Sequence, residues 1–151
     1  QLKKYDADHG SAVVMEVATG RIVAMANLGR NEDSVYSELR NYAVWERTEP
    51  GSTIKLLSAM ALLETGVADT SDMVNTEKGE VTIYGKKVRD SKKGGYGTIS
   101  LRRAFEVSSN TGIVKLVQQH FEQHPDDYVD FLYSRGFHKK MSLHDGNLGQ
   151  S

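Results

Sequence analysis

Residues 53–64, Thr-Ile-Lys-Leu-Leu-Ser-Ala-Met-Ala-Leu-Leu-Glu, are apolar around almost the whole circumference of a helix rather than along one stripe. A helix of that kind has no broad side to offer to water. Ile54, Leu56, Leu57, Ala59, Met60, Ala61, Leu62 and Leu63 therefore call for a core built around it. Both of its ends are marked. Glu49-Pro50-Gly51-Ser52 interrupts whatever precedes the run, and Thr65-Gly66 supplies a stop. Buried in this way, the helix is a rigid mount for side chains at its start.

Strands are expected before this helix and helices after it. Residues 11–17 and 21–27, rich in Val, Ile, Ala and Met, flank Ala18-Thr19-Gly20 and predict an antiparallel hairpin. Residues 28–37 read as a polar loop leading to a short irregular or helical segment at residues 39–45. Beyond the apolar helix, residues 69–73 predict a turn or short helix, and residues 80–84 and 86–89 a small hairpin divided at Gly85. Residues 91–97, Ser-Lys-Lys-Gly-Gly-Tyr-Gly, read as a flexible loop. Helices are expected at residues 100–107, 111–121 and 125–135, with Gly136 as a stop. There is no internal repeat or low-complexity tract. The order of elements argues for an α+β fold rather than alternating βαβ units.

Composition narrows the function. Lys and Arg number 19 against 20 Asp and Glu, a formal net charge of −1, so the chain lacks the basic field that nucleic-acid binding needs. The absence of cysteine excludes disulfides, thiolate metal sites and a Cys nucleophile. With 38% hydrophobic and 26% charged residues, a single domain over residues 1–151 is expected. No stretch approaches the roughly 20 apolar residues of a membrane span. The chain opens on Gln1 without Met or a signal-peptide core, and residues 146–151 form a polar Gly-containing end, so a piece of something longer is expected.

Two short patterns could carry chemistry. Ser52 stands where Pro50-Gly51 hands over to the helix, which places its hydroxyl and backbone N–H at the positive end of the helix dipole, a setting suited to an oxyanion. Lys55, three residues on, lies on the same helical face and can approach the Ser52 oxygen. In an apolar setting its ammonium form is disfavoured, and a neutral amine can accept the serine proton. The bland alternative is a capping Ser and a solvated Lys. Against it, the Ser-x-x-Lys spacing occurs once and falls at the head of the most apolar helix, where a cation is costly. Downstream, Ser108-Ser109-Asn110 sits at the break between two expected helices. The Ser108 hydroxyl and Asn110 carboxamide can face one cleft, relaying a proton and holding a substrate amide, although Ser and Asn are also ordinary capping residues there.

Ser-x-x-Lys followed by Ser-x-Asn is the motif order of penicillin-binding proteins and serine β-lactamases. The flanks Arg40-Asn41-Tyr42-Ala43, Glu49-Pro50-Gly51-Ser52-Thr53-Ile54-Lys55 and Val107-Ser108-Ser109-Asn110-Thr111-Gly112 resemble a class B penicillin-binding protein of the division-specific, FtsI-like branch. The hairpin at residues 11–26 also resembles the opening strands of that transpeptidase domain. The resemblance implies a partial serine β-lactamase/D,D-transpeptidase-like fold, an N-terminal β-hairpin of a central antiparallel sheet plus a helical subdomain. It implies an enzyme that cross-links peptidoglycan at the D-Ala-D-Ala end of stem peptides, without a cofactor. Ser52 would be acylated, Lys55 would take its proton, and Ser108 would help pass a proton to the departing D-Ala. Asn110 would hydrogen-bond the substrate backbone and the lysine. β-Lactams would acylate the same serine. A periplasmic location, a membrane anchor outside these residues, and divisome partners including a glycan polymerase are likewise implied.

One departure qualifies the resemblance. The family's third motif, Lys-Thr/Ser-Gly on a cleft strand, follows the other two, and it is not in this sequence. Lys92-Lys93-Gly94 has the wrong middle residue and lies before Ser108. Loss of an oxyanion donor typically lowers a rate by about 10²- to 10³-fold. The chain is therefore expected to be an incomplete transpeptidase domain lacking its C-terminal strands, weakly active or inactive, and self-associating through the unpaired edge of its hairpin. Two rivals stand beside this reading: a serine β-lactamase or β-lactam sensor, and a non-catalytic divisome scaffold in which Ser52 and Ser108 only cap helices. The five histidines, His9, His120, His124, His138 and His144, lack tight metal-ligand spacing, so no metal is expected. Tyr36, Tyr42 and Trp45 read as core or cleft-wall aromatics, and Glu49 as an exposed acid favouring the helix dipole.

Overall fold

The computed structural model describes residues 1–139. His144 and the polar end at residues 146–151 lie outside the described residues. The chain divides into two compact units, Gln1–Glu49 and Pro50–Ser151.

In the first unit the expected hairpin forms from β1 (His9–Met15) and β2 (Ile22–Arg30), antiparallel with Val13 opposite Met25 and a register shift at Val14/Met15. β2 runs further than its apolar residues suggest. Its last residues, Gly29 and Arg30, pair with β3 (Tyr36–Ser37), so the stretch expected as loop holds the end of one strand and all of another. Asn31 closes this connection by accepting from the Val35 N–H through its side chain at 2.8 Å, a turn device that polar composition alone does not distinguish from open loop. α1 (Tyr42–Trp45) follows, where a short helical segment was expected. The aromatics here are not core. Trp45 is 63% exposed with the Arg40 guanidinium over its ring, and Tyr42 stacks on His9. Val13, Val14, Met15 and Val23 are exposed on both faces of the hairpin.

The second unit holds the helical core. A 3₁₀ turn at Gly51–Thr53 leads into α2 (Ile54–Glu64), and Gly51 takes φ +57, open to glycine without strain. The short strands β4 (Met73–Asn75) and β7 (Thr98–Ser100) pair antiparallel, while β5 (Glu80–Ile83) and β6 (Lys86–Arg89) form the expected small hairpin. α3 (Leu101–Glu106), α4 (Asn110–Phe121) and α5 (Pro125–Ser134) follow. The β4/β7 pair is unexpected from sequence, because Val74, Thr76 and Ile99 lie in segments too short to show an alternating pattern. The Asp69 carboxylate, accepting from the Ser71 N–H and hydroxyl, closes the turn expected before Met73.

Leu62, Leu101 and Leu116 are fully buried at the meeting of α2, α3 and α4, joined by Ile113, Phe121 and, from α5, Phe131. Each such side chain contributes about 1.5–3 kcal/mol by leaving water. α3 and α4 approach closely at Gly112, where an added Cβ would lie 3.0 Å from that of Ala104. α2 is less enclosed than its all-round apolarity suggests. Leu56 and Leu63 are 54% and 40% exposed, while Lys55 and Ser58 are buried. α3, α4 and α5 cover only part of its circumference, and polar partners decide the rest: the Ser58 hydroxyl lies 2.8 Å from that of Tyr128 on α5.

The loop at residues 91–97, expected to be flexible, is tied down. Buried Thr76 donates its N–H and its hydroxyl to the Gly97 carbonyl and accepts the Tyr96 N–H at 2.8 Å. Gly79 and Gly95, both at positive φ, meet backbone to backbone at distances that leave no room for a Cβ on either. The glycines that read as freedom in the sequence serve a close approach instead.

Candidate active site

Ser52 lies in the 3₁₀ turn that opens α2, with its side chain exposed. Lys55, one turn on, is only 7% exposed. Its Nζ stands 3.1 Å from Ser52 Oγ, 2.8 Å from Ser108 Oγ and 2.6 Å from the Ser108 carbonyl oxygen. The Ser108 hydroxyl donates to Ser52 Oγ at 3.0 Å, closing a triangle of three polar groups. Burial pushes the Lys55 ammonium below the ordinary lysine pKa, partly opposed by the negative charge of Asp90.

This triangle accommodates both forms of the lysine. As an ammonium, Lys55 donates to all three oxygens. As an amine it has two N–H donors and one lone pair. The donors match the Ser108 carbonyl and hydroxyl oxygens, and the lone pair is left facing Ser52 Oγ. Ser52 then donates to Lys55 and accepts from Ser108. A proton can pass between Ser52 and Lys55 with every polar group still partnered and no heavy atom moved.

The backbone that presents Ser108 explains its unusual conformation. Ser108 has φ +55, in the left-handed region. It follows the C-cap Val107 of α3. Its N–H donates to the Phe105 carbonyl at 3.0 Å, and the Ser109 N–H donates to the Ala104 carbonyl at 2.8 Å. These are the two crossed bonds of a Schellman turn, in which the left-handed position is ordinarily glycine. A serine there is strained, and such strain persists only where the surrounding structure holds it. Next along the chain, Ser109 caps α4, accepting the Gly112 N–H at 2.9 Å. The turn thus ends one helix and starts another within Ser108-Ser109.

Of the four candidate residues, the fold brings Ser52, Lys55 and Ser108 into direct contact. The Asn110 Nδ2 donates to the Arg89 carbonyl at the end of β6, 2.6 Å away. Asn110 is the first residue of α4 and joins that helix to the hairpin. Asp90, which sequence reasoning passed over, is the neighbour that organises this junction. Its carboxylate accepts from the Ser109 hydroxyl at 3.1 Å to each oxygen, from the Thr111 N–H at 3.0 Å and from the Thr111 hydroxyl at 2.7 Å. No spacing in the sequence ties Asp90 to Ser109, since the pairing depends on the hairpin folding back onto α4. Glu49 is exposed, and the lysines at 92 and 93 are exposed, with Lys92 over the Tyr96 ring. Among the described residues no three His, Asp or Glu side chains are grouped as a metal site, and no helix is long and apolar enough to cross a membrane.

The chain matches the model of the penicillin binding protein transpeptidase domain over residues 10–147. It is 33% identical over 115 residues to the peptidoglycan D,D-transpeptidase FtsI of Escherichia coli K12, covering 73% of this chain and 19% of that protein. It is 31% identical over 153 residues to the penicillin-binding protein PbpB of Mycobacterium tuberculosis, covering 95% of this chain and 22% of that protein. The chain therefore spans about a fifth of the length of these curated relatives. Among solved structures, a peptidoglycan glycosyltransferase from Burkholderia ambifaria superposes with a TM-score of 0.74 at 26% identity, over 89% of this chain and 39% of that one. The transpeptidase domain of Burkholderia pseudomallei penicillin-binding protein 3 shares the fold at a TM-score of 0.69 and 23% identity. With the family model matched over most of its length and its α+β architecture shared with these structures, the chain belongs to the penicillin-binding protein transpeptidase domain family.

Proposed function

We propose that the chain is part of a serine-type peptidoglycan D,D-transpeptidase, with Ser52 as nucleophile, Lys55 as its base and Ser108 as proton relay. The observation that carries this reading is the buried Lys55 amine within 3.1 Å of Ser52 Oγ and 2.8 Å of Ser108 Oγ. Lys55 takes the Ser52 proton as Oγ bonds to the carbonyl carbon of the penultimate D-Ala. The C–N bond to the terminal D-Ala then breaks. Ser108 gives its hydroxyl proton to the leaving nitrogen and is reprotonated by Lys55, so the triangle returns to its starting charge. The amine of a neighbouring stem peptide attacks the ester, and the same relay runs in reverse. Asn110, held by the Arg89 carbonyl, lies on the first turn of α4 beside this centre and serves to hold the substrate backbone. β-Lactams acylate the same oxygen, with the ring amide in place of the D-Ala-D-Ala peptide bond.

The relatives named as D,D-transpeptidases support this substrate class. The full-length protein would act on the periplasmic side of the cell membrane, anchored to it, with a glycan polymerase and other divisome proteins as partners. The chain would be one part of a domain whose Lys-Thr/Ser-Gly strand completes the oxyanion hole. The test is intact-mass spectrometry of the chain after incubation with excess penicillin, with Ser52→Ala beside it. The expected result is an adduct of one penicillin on the parent and none on the variant. If no adduct forms on the chain, nor on a version extended through the next Lys-Thr/Ser-Gly, the catalytic reading fails.

A further inference from the structure

A carboxylate that accepts from three donors of one helix turn is more than a cap. Asp90 follows β6 and is anchored there, its N–H donating to the Gly79 carbonyl at 2.9 Å. Both donors of Thr111 and the hydroxyl of Ser109 converge on it, and Ser109 and Thr111 are completely buried. The charge sits at the N-terminus of α4, where the dipole favours an anion. It therefore holds the residue next to Ser108, and Ser108 is the strained position whose carbonyl and hydroxyl grip Lys55.

We propose that Asp90 is a positioning residue of this site: it clamps the first turn of α4 to the hairpin and thereby keeps Ser108 in the left-handed geometry that places its two oxygens on Lys55. This rests on the acyl-transfer reading above. The clamp also has an electrostatic side. Among the described groups Asp90 is the charge that acts on Lys55, favouring its protonated form against the larger effect of burial. Of the other charges on the surrounding elements, Lys87 and Arg89 of β6 pair with Glu80, Lys115 of α4 with Glu77, Arg103 of α3 with Glu106 and Glu64 of α2 with Arg135, while Lys86 of β6, Arg102 of α3 and Asp126, Asp127 and Asp130 of α5 have no ion-pair partner among the described residues. Uncharged Ser52, Ser108 and Tyr96, whose hydroxyl donates to the Val107 carbonyl, complete the surroundings. Asp90 thus tunes how readily Lys55 holds a proton while keeping the relay in place.

The variant Asp90→Asn keeps the size of the side chain and removes the charge and one acceptor site. The expected result is a fall in the plateau rate of β-lactam acylation by up to about a hundredfold, the usual consequence of a small misplacement. Its acidic limb moves to lower pH, because Lys55 loses a stabilising negative charge. Nuclear magnetic resonance of lysine labelled at Cε follows the Lys55 titration directly, and this midpoint should move to lower pH in the same variant. Thr111→Val, which removes the 2.7 Å bond and keeps the charge, should lower the plateau and shift the amide signals of Ser108 and Ser109 while leaving the Lys55 midpoint in place. An unmoved Lys55 midpoint in folded Asp90→Asn overturns the electrostatic part, and unmoved Ser108 and Ser109 signals in both variants overturn the clamp. If Asp90→Asn does not fold, Thr111→Val decides the clamp alone. If neither the parent nor its version extended through the next Lys-Thr/Ser-Gly acylates, the function reading fails, and the titration and amide signals still test Asp90.

Discussion

Ser108 allows backbone strain and chemistry to be separated with two substitutions. Both Ser108→Ala and Ser108→Gly delete the hydroxyl and its bonds to Lys55 at 2.8 Å and Ser52 at 3.0 Å, so the lost hydrogen bonds cancel between them. What differs is the φ of +55. An L-residue in the left-handed region is destabilised by roughly 1–2 kcal/mol relative to glycine. The greater freedom of glycine in the unfolded chain takes back about 0.4–1 kcal/mol. Ser108→Gly should therefore be more stable than Ser108→Ala by about 0.5–1 kcal/mol. With a urea m-value of about 1–3 kcal/mol/M, that separates the two unfolding midpoints by about half a molar. Acylation by a reporter β-lactam should fall in both by about 10²- to 10⁴-fold, the usual contribution of a positioned proton-transfer group. Equal midpoints for the two variants would refute the strain argument. Either variant acylating at the parental rate would refute the relay.

Three further outcomes follow from the geometry. Lys55→Met keeps the length and apolar stem of the side chain but removes the amine, so acylation should fall by about 10²- to 10⁴-fold. In the parent, acylation should rise with pH as Lys55 loses its proton, along an acidic limb lying below the ordinary lysine range because burial lowers its pKa, and Lys55→Met should lose this limb. Leu116→Ala, at a fully buried position between α2 and α3, should lower the unfolding free energy by about 2–5 kcal/mol, read from urea melts; a loss below about 1 kcal/mol would mean that the helical core is not where the unit's stability resides.

The elements that depend on local pattern were legible in the chain. The hairpin around Ala18-Thr19-Gly20, the helix after Pro50-Gly51, and the small hairpin at Gly85 each carry an apolar run with a turn residue at its end. Register and capping follow from neighbours only a few residues away. Short pairings escaped. β3 and the β4/β7 ladder hold two or three residues per strand, too few for alternation to be seen, and they exist because a distant segment arrives to pair with them. The loop at residues 91–97 misled for a related reason: its glycines permit a close approach to Gly79 that no local pattern announces.

In the candidate site the division is the same. Ser52 and Lys55 lie one helical turn apart, so the sequence alone determines that they can meet once the helix forms. Its apolar composition further implies a buried lysine, and the structure has Lys55 at 7% exposure. That Ser108 completes the triangle, rather than merely ending a helix, depends on α2 packing beside the α3–α4 turn. The left-handed φ of Ser108 was equally invisible, because serine gives no local sign that it will occupy a glycine's position. That the Asn110 carboxamide donates to the Arg89 carbonyl likewise depends on the β5–β6 hairpin meeting α4. Asp90 is the furthest case: a lone acid after a strand, with nothing in its neighbourhood to mark it. It reaches Ser109 and Thr111 only because the β5–β6 hairpin folds back onto α4. Sequence determines contacts set by the helical or pleated repeat, whereas contacts between separate elements depend on how those elements pack, which only the tertiary structure decides.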